Sequence, residues 1–332
     1  MYIEQAQKNL SDWWRYLIGL FIVFFFWQII GAIPFVAAIF NKVGLEGLAS
    51  LQDPEKMFTI LENSSLTFFY LMLMFVIGLL GLFFTTKFLH NQTLTNLTTS
   101  RAKIDWNRVI FAFFTWGILS VAMTAVDIFY FSPDEYIYNF NLNSFLILAV
   151  LAIILVPLQT SFEEYFFRGY LMQGLGNIFK NRFFPLVFTS LAFGLMHIAN
   201  PEVGKLGYFI MIFYIGTGFF LGIITLMDEG LELALGFHAA NNLFIALLVT
   251  ADWTAFQTDS IFKATSEPTY IGWDEFVADP WVISEIAIPV FIIFPLLLFI
   301  YSKKYNWTDW NDKLTGKVKS LSVSDEDIWD KR

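Results

Sequence analysis

Eight apolar stretches dominate this chain: Tyr16 to Phe40, Leu66 to Thr86, Val109 to Phe131, Leu142 to Leu158, Phe183 to Ala199, Leu206 to Met227, Leu231 to Thr250 and Trp281 to Tyr301. A helix that crosses a bilayer needs roughly 20 mostly apolar residues, because no water is available there to satisfy exposed backbone groups. The stretches therefore predict an all-α fold, a polytopic membrane bundle of about eight transmembrane helices. Composition agrees: 57% of residues are hydrophobic and 15% charged, outside the range of soluble domains. The first stretch exceeds the roughly 7 to 15 residues of a signal-peptide core, so it is expected to be a retained helix.

Lys and Arg set the expected orientation, because they resist translocation whereas acids count for little. With the N-terminus inside, 16 fall on the inner side, among them Lys87, Arg101, Lys103 and Arg108, and four on the outer side, Lys42, Lys56, Lys205 and Lys263. Both termini are expected to be cytoplasmic. Trp13, Trp14, Trp106, Trp253, Trp281, Trp307 and Trp310 fall near stretch ends, where the indole ring favours the headgroup level. The net charge of −9 gathers in Asp252 to Asp279 and in the tail, and no nucleic-acid footprint is visible. The absence of cysteine rules out disulfides and thiolate metal sites. Three parts are expected: N-terminal transmembrane helices over 1–140 as scaffold or gate, a catalytic membrane core over 141–301, and a solvated cytoplasmic tail over 302–332.

Ionisable groups inside hydrocarbon cost roughly 2.5 to 3.5 kcal/mol each, so where they cluster they have a task. Three clusters stand out: Glu163, Glu164 and Arg168; Phe193 and His197; and His238 with Asn241 and Asn242. Glu164 and Arg168 lie four apart and can pair on one helix face, which leaves Glu163 about 100° away as a candidate general base. Phe193 and His197, and His238 and Asn242, repeat the four-residue spacing. One Glu and two His from three helices can bind a zinc ion with its water, or act without metal around a tetrahedral intermediate, and the spacing does not choose. His90, in a basic loop, is expected to be solvated.

In this order the motifs Glu-Glu-x-x-x-Arg, Phe-x-x-x-His and His-x-x-x-Asn resemble the CAAX-protease and bacteriocin-processing (Abi) family of intramembrane proteases, over about Leu151 to Leu248. The resemblance implies peptide-bond hydrolysis within the membrane. Glu163 would activate water with His197, His238 and Asn242 would stabilise the oxyanion, and Arg168 would pair with Glu164. It leaves open a metalloprotease, with zinc on Glu163, His197 and His238, against a glutamate enzyme without metal; the metal-free form is favoured. The implied partners are the lipid bilayer and a membrane peptide or protein substrate. A Phe-rich, cysteine-free chain points to a bacterial cell membrane rather than to a prenylated substrate. A non-enzymatic adaptor or bacteriocin-immunity protein is the main alternative, and a transporter ranks third for want of paired broken helices.

Overall fold

The computed structural model describes residues 1–48, 59–266, 274, 278 and 286–321. Five helices are long and apolar enough to cross a bilayer: Trp13–Leu45, Ser64–Phe88, Trp106–Phe131, Leu142–Phe179 and Tyr208–Asp228. The fifth and seventh stretches form shorter apolar helices, Phe183–Leu195 and Glu232–Leu248, of 13 and 17 residues. Of the eighth, residues 281–285 lie outside the described part, and its remainder ends in the helix Phe294–Tyr305. The chain is a multi-pass helical membrane protein.

In chain order the main helices are α1 (Trp13–Phe24), α2 (Ile33–Leu48), α3 (Ser64–Phe88), α4 (Trp106–Val126), α5 (Leu142–Glu164), α6 (Met172–Phe179), α7 (Phe183–Leu195), α8 (Met211–Asp228), α9 (Glu232–Leu248), α10 (Phe294–Tyr305) and α11 (Trp310–Thr315). Short polar side chains start three of them by accepting the first orphan amides. Asn63 accepts from Leu66 N, Asp105 from Asn107 N and Asn141 from Ser144 N. Three short strands, β1 (Tyr136–Tyr138), β2 (Val249–Thr250) and β3 (Phe262–Ala264), pair in the order β1-β3-β2, with β3 antiparallel to β1 and parallel to β2. They tie the end of α9 to the segment after α4.

The fourth stretch does not stop at Leu158. The helix that starts at Leu142 runs on to Phe179, 38 residues, or about 57 Å at 1.5 Å per residue against a hydrocarbon core of roughly 30 Å. Glu163 therefore lies within a continuous helix rather than beyond the inner end of a short one. Two features interrupt the regular α-helical bonding of the run. Pro157 sits inside α5 and offers no N–H to the preceding turn, and Tyr165–Leu171 winds as a π-helix between α5 and α6.

Helices approach closely where one partner lacks a side chain. A methyl group at Gly218 of α8 would meet the Ser190 carbonyl of α7 at 2.5 Å, and one at Gly236 of α9 would collide with the Val109 carbonyl of α4. These contacts seat α7, which His197 follows, and α9, which carries His238, against the longer helices.

The tail departs from the expectation of a solvated end. Over its described part, Trp307 and Val318 are buried, the Trp307 indole donates to Asp228 (3.0 Å), and the Lys319 amide donates to Glu4 (3.1 Å). Asp228 also accepts from Arg101 (2.6 Å) and Arg108. A buried carboxylate thus gathers the loop before α4, the end of α8 and the tail. Residues 322–332 lie outside the described part.

His90 is likewise not solvated. It is 1% exposed, with Nδ1–H donating to the Leu10 carbonyl (2.8 Å) and Nε2 within 2.9 Å of the Tyr170 hydroxyl. Burial pushes its pKa down to about 4, with Arg15 adding to the effect against the opposing Leu10 carbonyl. The unfolded ring, near 6.5, binds a proton first as pH falls, so stability is lost on acidification from about 6.5 towards 4. We expect His90→Gln to flatten this part of a denaturation-versus-pH series in detergent, with the parent chain keeping the steeper loss. Equal slopes in the two proteins would contradict the buried neutral ring.

Candidate active site

The three motifs meet around the Phe193 ring. Arg168 lies over its face, with the guanidinium carbon 4.3 Å from the centroid, His197 is 4.9 Å away, and His238 meets it edge-on at 5.6 Å. Local sequence explains each placement. Glu163 and Glu164 end α5, and the π-helical turn that follows carries Arg168 round to its partner.

Glu164 and Arg168 are both 0% exposed and form an ion pair from Nη1 to Oε1 at 3.0 Å. Arg168 Nη2 donates to the Gly218 carbonyl (3.0 Å), which also accepts from the Ser190 hydroxyl (3.0 Å). A buried charge is tolerated when paired and hydrogen-bonded in this way. The arginine thus joins the π turn, α7 and α8 at the point where Gly218 lets the backbones approach.

His238 stands between the two glutamates. Its Nδ1 is 2.7 Å from Glu164 Oε1 and its Nε2 is 3.3 Å from Glu163 Oε2. Glu164 carries no proton donor when ionised, so Nδ1 holds the hydrogen of the first contact and Nε2 is turned to Glu163. The two glutamates differ accordingly. Glu164 is fully buried, with its Oε1 shared by Arg168 and His238, whereas the Glu163 side chain keeps 13% exposure and pairs with no Arg or Lys among the described residues.

Asn242 is held by a chain of amides that has one possible direction. The Trp116 indole can only donate, and it donates to Asn241 Oδ1 (3.1 Å). Asn241 Nδ2 must then donate to Asn242 Oδ1 (3.0 Å), and Asn242 Nδ2 to Gln159 Oε1 (3.0 Å). Gln159, one turn before Glu163, turns its remaining N–H groups towards that carboxylate, which it adjoins. The donor-only indole at one end and the carboxylate at the other orient all three amides, which fixes assignments that heavy-atom positions alone leave ambiguous. One Asn242 N–H remains for another acceptor.

His197 lies just past the end of α7 rather than inside it. Its Nδ1–H donates to the Phe193 carbonyl (2.8 Å), and the ring stacks on Tyr214 at 4.3 Å and 19°, which leaves Nε2 as its acceptor nitrogen. The ring that faces Glu163 is that of His238. Sequence reasoning did not find Gln159, Trp116 or Tyr214. Gln159 carried a signal, its four-residue spacing to Glu163; Trp116 and Tyr214 carried none. As for zinc on Glu163, His197 and His238, no three His, Asp or Glu side chains among the described residues gather as a metal centre requires.

A family model described as type II CAAX prenyl endopeptidase Rce1-like matches residues 142–244, from the first residue of α5 to just beyond Asn242. The uncharacterized protein YyaK of Bacillus subtilis (strain 168) is 31% identical over 250 residues, 75% of this chain and 82% of that protein. No solved structure matches. With every motif residue inside the matched segment and a relative aligned over most of both lengths, the chain belongs to the Rce1-like family of CAAX proteases.

Proposed function

We propose that the chain is an intramembrane endopeptidase that hydrolyses a peptide bond of a membrane-associated peptide or protein, with Glu163 as the general base. The observation that carries this reading is the asymmetry of the glutamate pair: one carboxylate is fully buried and ion-paired with Arg168, and the other keeps 13% exposure, pairs with no Arg or Lys among the described residues and faces His238. Glu163 takes a proton from water while the resulting hydroxide bonds to the scissile carbonyl carbon. His238, held by Glu164, shares that proton across its 3.3 Å contact. The negative oxygen of the tetrahedral intermediate takes the remaining Asn242 N–H, and His197 Nε2 orients the attacking water. Collapse breaks the C–N bond, and the shared proton leaves with the amine. Each donor is fixed before the reaction, the arrangement in which stabilisation of developing charge is most effective.

In this reading no metal takes part, so cleavage proceeds unchanged in the presence of a chelator. Both termini face the cytoplasm, the chain crosses a bacterial cell membrane about eight times, and the substrate reaches the site from within the bilayer. Residues 1–140 act as scaffold or gate.

The role of Gln159 gives a test that separates positioning from folding. Gln159→Leu keeps similar volume but removes the acceptor for Asn242 and the donor to Glu163. We expect kcat to fall about tenfold, the equivalent of one hydrogen bond of about 1.4 kcal/mol, with KM and thermal midpoint little changed. A drop in midpoint with kcat preserved in the folded fraction would give Gln159 a packing role only.

A further inference from the structure

On the outer face of the bundle, α4 and α10 enclose a groove of about 570 Å³. One wall is a stripe at four-residue spacing, Ile110, Phe114 and Ile118, each more than half exposed. From Asp105 to Ile118 the groove follows 13 residues of helix, about 20 Å. That is close to one leaflet, roughly half of the 40 to 45 Å of a bilayer with its headgroups. The far end is apolar, and the near end carries Arg108 and Lys304 beside Asp105.

The cationic end is built rather than diffuse. Lys304 lies with its ammonium 4.3 Å from the Phe111 ring centroid, and Arg108 has its guanidinium carbon 3.9 Å from that of Tyr305. Arg108 is committed to Asp105 and Asp228. Lys304 faces no carboxylate within 4.0 Å among the described residues, so its charge is available. This end lies on the Lys- and Arg-rich side of the chain, where anionic headgroups attract cations at about 1 kcal/mol per charge.

We infer that the groove binds one anionic phospholipid, with the phosphate on Lys304 and an acyl chain along Ile110, Phe114 and Ile118. The site lies one helix from His238, because α4 is the helix against which Gly236 of α9 packs. It is independent of the protease reading.

The test is native mass spectrometry of the detergent-solubilised full chain titrated with phosphatidylglycerol or phosphatidylcholine. At about 1 kcal/mol, the parent chain retains phosphatidylglycerol at least fivefold better. Lys304→Glu abolishes or reverses the preference, whereas Lys303→Glu, the same charge change on the neighbouring residue outside the groove, leaves it in place. Equal retention of the two lipids, or equal effects of the two substitutions, would overturn the site in favour of diffuse attraction. Full competition by inorganic phosphate would overturn the acyl-chain half of the inference. A lipid adduct unaffected by Lys304→Glu would place the lipid elsewhere.

Discussion

Arg168→Ala is expected to remove most of the folded protein. The substitution strands Glu164, 0% exposed, with His238 as its one remaining side-chain partner among the described residues, and takes the guanidinium from the Gly218 carbonyl and from the face of Phe193. Breaking a buried pair from one side costs about 3 to 5 kcal/mol, because the remaining charge has no water to return to. That is a large share of the 5 to 15 kcal/mol by which a typical protein is stable. Arg168→Lys should recover part of the charge but not the fork, since one ammonium cannot serve both Glu164 and Gly218 in the same planar geometry. Yield of monodisperse protein and thermal midpoint in detergent check this. A variant as stable as the parent would show that the pair contributes nothing to the fold.

Glu163→Gln is expected to do the opposite, abolishing cleavage while leaving the fold intact. The amide has nearly the same shape, and Glu163 pairs with no Arg or Lys among the described residues, so the pairing lost is confined to its contacts with Gln159 and His238. What disappears is the ability to accept a proton. Loss of a positioned general base lowers rates by roughly 10² to 10⁴, which would leave no measurable turnover in most membrane-protein assays. Glu164→Gln makes the necessary comparison, because it weakens the Arg168 pair and the hold on His238 together and should lower stability as well as activity. Similar folding defects in Glu163→Gln and Glu164→Gln would contradict the division of roles between adjacent carboxylates.

The ion pair could be read from spacing alone. Glu164 to Arg168 at four residues predicts the pair, and it forms with both partners fully buried. Phe193 and His197 also meet as their spacing implies, although the helix between them ends at Leu195 and the imidazole is held by the turn. Spacing could not reveal that the helix after Glu164 widens to a π turn, since that depends on which neighbours the backbone must accommodate. Nor could it show which histidine faces Glu163, because the separation of α7 from α9 is set by glycine contacts between distant residues. The Trp116 anchor lies 125 residues from its acceptor. His90 and the tail were misread for one reason: polar residues near charged loops pattern as solvated, whereas here they cover the ends of the bundle and satisfy one another. The eight apolar stretches gave the membrane character of the chain, and hydropathy alone did not separate helices of 13 or 17 residues from full spans.

The central claim is peptide-bond hydrolysis at the glutamate pair, and the most direct measurement is the formation of new peptide termini by the purified chain. Wild-type protein in detergent or vesicles is incubated with a library of membrane-associated peptides, and products are read by mass spectrometry with and without a chelator. We predict new termini at defined bonds, formed at the same rate when metals are removed and absent with Glu163→Gln. Folded wild-type protein that yields no new termini under any condition, or yields them equally with Glu163→Gln, would contradict the account.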